Sequence, residues 1–202
     1  MGRRLATAGL GGALAGVLAL AVFAGTDAAP RAGRTPRLIV TSEQIAPGST
    51  IADAHVTNFP GFGCSGGNIS PEVRWSGAPA GTKSFAVTMF DPDAPTGSGF
   101  WHWVVFNIPP TATDLPKNAG DLKASLMPPG TVQSRTDFGV PGYNGPCPPP
   151  GDRPHRYVIT VFALDVDKLG PDQNTSAAVV GFNLHFHTLA RGMLMGRYGR
   201  PK

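Results

Sequence analysis

Side chains that could bind a ligand or move a proton concentrate in one stretch, DPDAPTGSGFWHWVVFN, at residues 91–107. Asp91 and Asp93 stand one residue apart between prolines, and His102 precedes an apolar run. A second histidine, His155, lies much later in PHRY, again directly before an apolar run. A rigid scaffold can bring polar groups at strand ends together on a small ligand. No nucleophile stands nearby, so the pattern predicts a binding site.

The same residues also permit a purely structural interpretation. Asp-Pro-Asp-Ala-Pro is typical of turns, because aspartate side chains bond to their own backbone there. Histidines next to apolar runs are often ordinary core or loop residues. An enzyme using Asp91, His102 and His155 as acid–base groups is a weaker alternative, since no GxSxG, HExxH or P-loop pattern is present. We therefore expect no enzymatic activity.

Metal ions, cofactors and nucleic acid are not expected as partners. The two cysteines, Cys64 and Cys147, form no CxxC pair. His185 and His187 are two residues apart, and side chains with that spacing do not face each other on a helix. The tryptophans lack the basic groove that a base-stacking surface requires.

The N-terminus resembles a secretory signal, which we assign to residues 1–28. Arg3 and Arg4 precede an apolar run at 10–24 that is followed by small residues. The run is short and rich in glycine and alanine, which favours cleavage over a permanent membrane anchor. We expect a flexible lead at 29–36, a single domain at 37–202, and a secreted or extracytoplasmic protein with no stable membrane span after processing.

Export affects whether Cys64 and Cys147 are oxidised to a disulfide. An exported chain meets oxidising conditions, so we expect the two to pair, although two free thiols are the alternative. On the chain-entropy model, a disulfide closing so long a loop stabilises the fold by about 4 kcal/mol.

The predicted elements are mostly strands. The chain has 27 glycines and 21 prolines among 202 residues, and these separate short apolar segments. The segments predict strands at 37–41, 55–57, 72–75, 84–90, 101–108 and 157–164. Strands without intervening helices imply antiparallel pairing in a sandwich or barrel. Residues 109–154 are too long for an ordinary connection, which indicates a functional loop.

A helical region is expected after Asp172, capped by Asn174 or Thr175. Apolar residues recur there with steps of three and four. They are Val179, Phe182, Phe186, Leu189 and Met193. Gly181 and Gly192 favour two short helices over one unbroken helix.

Four motifs together resemble the phosphatidylethanolamine-binding protein family, also called Raf kinase inhibitor proteins, and in particular its bacterial YbhB/YbcL branch. They are CSGGNISPEVRWSGAP (64–79), DPDAP (91–95), HWVVFNIP (102–109) and GPCPPPGDRPHRY (145–157). The resemblance implies a mainly β fold, an antiparallel two-sheet β-sandwich with short C-terminal helices. It also implies a small anion-binding pocket at one end.

Carried over by position, the resemblance assigns seven residues to that pocket. They are Asp91, Asp93, Pro95, His102, Gly145, His155 and Tyr157. The expected function is binding of a small anionic ligand, such as a phosphate ester or a phospholipid head group, with protonated histidine as a donor and the carboxylates behind it. Inhibition of a protease or kinase as a protein target is the alternative.

Overall fold

A computed structural model describes residues 38–202, so the predicted signal segment at 1–28, the lead at 29–36 and Arg37 lie outside the described residues. Within residues 38–202, no helix is long and apolar enough to cross a membrane.

Ten strands and one α-helix make up the described domain. The strands are β1 (Ile39–Thr41), β2 (Asn58–Phe59), β3 (Cys64–Ser65), β4 (Val73–Ser76), β5 (Ser84–Asp91), β6 (Phe100–Ile108), β7 (Asp114–Leu115), β8 (Val132–Gln133), β9 (His155–Leu164) and β10 (Thr188–Tyr198). The helix is α1 (Ala177–His187), and 3-10 turns lie at Asp53–His55 and Pro60–Phe62.

The strands form antiparallel sheets. A three-stranded sheet has the order β1-β4-β7, a five-stranded sheet has the order β10-β9-β5-β6-β8, and β2 pairs with β3. The long strands β5, β6 and β9 lie next to one another, which brings the end of β5 beside the start of β9. This meeting point positions the candidate site.

The main core lies between the two larger sheets. Val73 and Trp75 of β4 belong to the same buried cluster as Val87 of β5 and Ile159 of β9. A second cluster lies where α1 covers the other face of the five-stranded sheet, through Leu184 and its neighbours. Both faces of this sheet are buried at its centre, which explains the nearly unbroken apolar runs of β5 and β6. The mainly β, antiparallel prediction is confirmed.

The predicted strand positions differ from the observed ones by one or two residues, with one exception. Residues 55–57 were expected to form a strand, but a 3-10 turn spans Asp53–His55, and the next strand begins at Asn58. His55 is buried, and its Nδ1 lies 2.7 Å from the carbonyl oxygen of Ile69. The 3-10 turn uses the N–H groups of His55 and Val56, while the carbonyls of Val56 and Thr57 still accept backbone bonds from Asn68 and Gly66.

The C-terminal region contains one helix and not two. The cap is Ser176, one residue beyond the expected positions, and α1 buries Val180 and Leu184 while Phe182 and Phe186 are exposed. The segment expected to form a second helix is β10, which alternates buried and exposed residues from Ala190 onward. Tertiary pairing with β9 overrides the helical spacing.

Gly192 explains why the β conformation prevails in this segment. A Cβ atom at Gly192 would lie 2.2 Å from the carbonyl oxygen of Leu38, so only glycine lets β10 pass this closely behind the start of β1. The glycine that suggested a helix break marks the close approach of two backbones.

Cys64 and Cys147 are joined by a disulfide. The bridge ties β3 to the proline-rich loop before β9, across 83 residues of sequence. Arg200 holds the same two segments: its Nη1 donates to the carbonyls of Phe62 and Gly63 at 3.0 and 2.8 Å, and its Nε donates to that of Pro148 at 2.7 Å.

We predict that Cys64→Ser, with or without Cys147→Ser, lowers the melting temperature by roughly 10 °C, because the cross-link contributes about 4 kcal/mol. Calorimetry on oxidised and reduced protein measures this. Reductant should lower the wild type to the level of the variants and leave the variants unchanged. Equal melting of oxidised and reduced wild type would refute a stabilising bridge.

Candidate functional site

A pocket of about 420 Å³ opens at the end of the sandwich where β5 ends and β9 begins. Five of the seven residues predicted for the site line it. They are Asp91, Pro95, His102, His155 and Tyr157. Residues that are more than fifty positions apart in sequence therefore meet in one cavity. The other two predicted residues, Asp93 and Gly145, lie outside its lining.

Asp91 and His155 form the hydrogen-bonded pair of this pocket. Asp91 is the last residue of β5 and His155 the first of β9, and Asp91 Oδ2 lies 2.8 Å from His155 Nδ1. Both side chains are about 97% buried. Asp91 Oδ1 also accepts the backbone N–H of Asp93 at 2.8 Å, so the turn role of this aspartate coexists with the pairing. On the other side of the ring, His155 Nε2 lies 3.4 Å from Asp152 Oδ2.

His102 is held by backbone and not by a carboxylate. Its Nδ1 lies 2.7 Å from the carbonyl oxygen of Asn144 and 3.1 Å from that of Gly145. Carbonyl oxygens only accept, so Nδ1 carries the proton and Nε2 holds the lone pair of the neutral ring. Burial lowers the pKa of His102, and the nearby carbonyls and Asp91 only partly oppose this. His102 is therefore neutral near pH 7, contrary to the expectation of a protonated donor.

Tyr157 lines the pocket with a buried hydroxyl. Its side chain is fully buried, and within residues 38–202 its oxygen forms no hydrogen bond of good geometry, although Asp91 and the backbone of Cys147 lie close to it. Burial raises the pKa of Tyr157, and the charge and carboxylate of Asp91 raise it further. The hydroxyl is thus a neutral donor. A buried polar group without a partner costs about 1–3 kcal/mol, which a ligand oxygen can offset.

Aromatic side chains that the sequence analysis missed form the walls of the pocket. They are Phe59, Phe62, Phe100 and Phe138. Phe100 and Phe138 meet edge to face, with ring centroids 4.9 Å apart. Asp137 brings Phe138 there, because its carboxylate accepts the N–H of Trp101 at 2.8 Å and its own N–H donates to Trp101 at 3.1 Å. For Phe138 the only sequence signal was the length of the 109–154 loop.

Gly145 lies outside the pocket lining but contacts His102, which lines it. A Cβ atom at this position would lie 1.9 Å from the carbonyl oxygen of His55, so only glycine fits. Its N–H donates to Asn68 Oδ1 at 2.9 Å, and its carbonyl accepts from His102. Gly145 therefore orients the His102 ring.

Asp93 belongs to a different environment from Asp91. Arg156 donates to its two carboxylate oxygens at 2.8 Å each, and the Arg156 N–H adds a third bond at 2.9 Å. The Arg156 guanidinium holds the pKa of Asp93 well below its usual range. The DPD motif thus places one aspartate in the pocket and the other in an ion pair outside it.

The pocket offers few polar groups in a mostly apolar enclosure, which is the usual construction of a small-molecule site. Tyr157 can donate, and neutral His102 can accept at Nε2. We call Asp91, His102 and Tyr157 together the floor of the pocket, and Asp91 gives this floor a negative charge. No cluster of residues suited to hold a metal ion occurs within the described part of the chain.

Comparison with known proteins identifies relatives over most of the chain. A family model described as phosphatidylethanolamine-binding protein matches residues 41–199. YbcL of Escherichia coli K12 is 54% identical over 151 residues, which cover 75% of this chain and 81% of YbcL. YbhB of the same organism is 48% identical over 157 residues, which cover 78% of this chain and 97% of YbhB.

Solved structures agree with these matches. The crystal structure of E. coli YbcL superposes with a TM-score of 0.78 at 49% identity, over 81% of this chain and 98% of that one. The homologue CT736 from Chlamydia trachomatis gives a TM-score of 0.67 at 28% identity, over 82% and 99% of the two chains. The resemblance seen in the four motifs is confirmed, and the chain belongs to the phosphatidylethanolamine-binding protein family, in its YbhB/YbcL branch.

Proposed function

We propose that this protein binds a small phosphate-bearing ligand in the aromatic-walled pocket, and that it does so after export. The buried hydroxyl of Tyr157, which forms no hydrogen bond of good geometry, carries the proposal. It shares the pocket with His102, whose ring centroid is 5.2 Å from that of Tyr157. An oxygen-rich ligand at the floor would supply the missing acceptor and meet Nε2 of His102.

The protonation of the groups favours a singly charged phosphate that still carries a proton. Neutral His102 accepts at Nε2, so the ligand oxygen facing it must donate. The negative charge of Asp91 repels a dianion. A phosphate monoester has its second pKa near 6 and can provide an O–H at neutral pH, which sulfate cannot do.

The phenylalanines favour a ligand with an apolar part next to the phosphate. Phe59 and Phe62 are about half exposed, and they lie at the pocket with Phe138, which packs against Phe59 at 6.3 Å. Phosphatidic acid, a lipid phosphate monoester, with the start of its acyl chains meets this requirement and keeps the ionisable proton, as does an aromatic phosphate monoester. Free phosphate would use only the floor.

Binding without turnover is the activity we propose. Among the lining residues, only Thr96 and Tyr157 carry hydroxyls, and Cys147 is in the disulfide. Asp91 and His155 bond to each other, and burial raises the pKa of the nearby Tyr157 hydroxyl, which makes it a poor nucleophile. Incubation with phenyl phosphate should release no phenol. Phenol release above a protein-free control would indicate an enzyme.

Export is proposed from the predicted signal segment, and the disulfide supports it because such bridges persist in oxidising compartments. Fractionation of cells expressing the full chain tests this. Mature protein beginning after residue 28 and recovered outside the cytoplasm is the expected result, whereas full-length protein in the cytoplasm would contradict it.

We predict that Tyr157→Phe weakens binding of phenyl phosphate about tenfold while the fold keeps its stability, because the lost hydroxyl forms no hydrogen bond of good geometry in the protein. Calorimetric titration and thermal melting measure the two effects. His102→Ala should also weaken binding in a folded protein.

Tyr143→Phe is the matched control for Tyr157→Phe. The Tyr143 hydroxyl is buried and donates to the carbonyl of His55 at 2.8 Å, but it lies outside the pocket lining. This variant should lose about 1 kcal/mol of stability and keep its affinity. If both variants bind like wild type, the hydroxyl of Tyr157 has no role in binding.

We predict that phosphate binding weakens as pH rises from 6 to 8 and that sulfate binds far less than phosphate at pH 7. The pKa of His102 is below its ordinary 6.5, so Nε2 of the free protein carries no proton and the ligand must bring one. Above its second pKa, phosphate has lost that proton. Binding then requires uptake of a proton from solution, and affinity falls by about tenfold per pH unit. Titrations at several pH values measure this, and equal affinity for the two anions at pH 7 would refute the protonated-ligand model.

A further inference from the structure

We propose that Arg153, Arg156 and Arg197 form a second anion site, outside the pocket, that binds a phosphate group. These residues line a separate surface cavity of about 300 Å³ together with Asp93 and Pro154. None of the five residues lines the aromatic pocket. The proposal does not depend on the function assigned to that pocket.

The first observation is a pair of like charges in the sheet. Arg156 of β9 lies directly opposite Arg197 of β10 in the antiparallel register. Directly opposed residues project from the same face with their Cβ atoms about 5 Å apart, and like charges in this arrangement destabilise a sheet. An anion between the two guanidinium groups would remove the repulsion.

The second observation is the charge balance of the cluster. Asp93 is the only carboxylate lining the cavity, and its side chain is 6% exposed and bonded twice to Arg156. Arg153 reaches it at 3.4 Å and remains 83% exposed. Three guanidinium groups facing one carboxylate leave an excess of two positive charges.

Arg197 carries the uncompensated charge. Within residues 38–202 it forms no salt bridge, and its side chain lines the cavity. Asp152, on the neighbouring loop, approaches His155 and lines an adjoining cavity with Arg197, but it forms no salt bridge with Arg197 within residues 38–202. Asp93 holds Arg156 in place, so one wall of the site is ordered before a ligand arrives.

The chemistry fits a phosphate better than a carboxylate ligand. Guanidinium groups present planar pairs of N–H donors that match phosphate oxygens, and a tetrahedral dianion balances two positive charges. A soluble phosphate ester and a phospholipid head group share this chemistry, and the experiment distinguishes them.

The test is NMR of arginine Nε–Hε signals in the oxidised protein during titration with inorganic phosphate. Saturable shifts of Arg156 and Arg197 are expected in the wild type. Arg197→Gln should weaken the response of Arg156 about tenfold, because one charge-assisted contact is lost. Arg153→Gln gives a second variant that leaves the β9–β10 pair intact and should also weaken binding.

Arg191→Gln is the matched control. Arg191 is exposed on β10 six residues before Arg197, on the same face of the strand, and it does not line the cavity. This variant has the same net charge as Arg197→Gln and should bind phosphate like wild type. Absence of shifts in the wild type, or equal weakening by Arg191→Gln and Arg197→Gln, would overturn the proposal.

The imidazole signals of His102 and His155 separate the two sites in the same titration. Tyr157→Phe should leave the arginine shifts unchanged. If the arginines respond while the histidines do not, the second site stands and the proposed pocket function fails.

Vesicles of phosphatidylcholine with and without phosphatidic acid identify the source of the phosphate. Sedimentation with anionic vesicles that is lost in Arg197→Gln and kept in Arg191→Gln supports a lipid head group. Phosphate binding without vesicle binding supports a soluble ester. Vesicle binding that neither substitution changes would refute a role of the cluster on membranes.

Discussion

The hydrogen bond between Asp91 and His155 is the constraint on which this end of the molecule depends. It joins the last residue of one central strand to the first residue of its neighbour, and both side chains are buried. Burial of either group alone would leave an unpaired polar or charged side chain in an apolar enclosure, which is costly. The pair joins the ends of two interior strands, and the remaining polar groups of the pocket lie around it.

Strand alternation then divides the neighbouring residues between two environments. His155 and Tyr157 point into the pocket, whereas Arg156 between them points to the outside. Asp91 and Asp93 are separated by the turn that follows β5, since residues two apart on one strand would share a face. Alternation along β9 and this turn together produce a mostly apolar pocket on one side and a charged cluster on the other.

The sequence indicated the pocket through residues at strand ends, and the structure brings His102, His155 and Tyr157 together. The sequence also suggested a protonated histidine donor, but burial lowers the pKa of His102 more than the carbonyl oxygens and Asp91 raise it, which favours the neutral ring. The phenylalanine walls escaped notice because no local pattern distinguishes a phenylalanine in a cavity wall from one in the core. Helical spacing at the C-terminus was misleading, since pairing with β9 decides the conformation of β10.

The sequence by itself determined the family, the antiparallel β class and most strand positions, because these follow from motifs, alternation and turn residues that are local. Tertiary structure alone decided which aspartate enters the pocket, which carbonyl oxygens hold His102, and that Arg156 lies opposite Arg197. Those outcomes depend on strand register. Register is set by how whole strands pack, and a shift of one residue would exchange the two faces of the sheet.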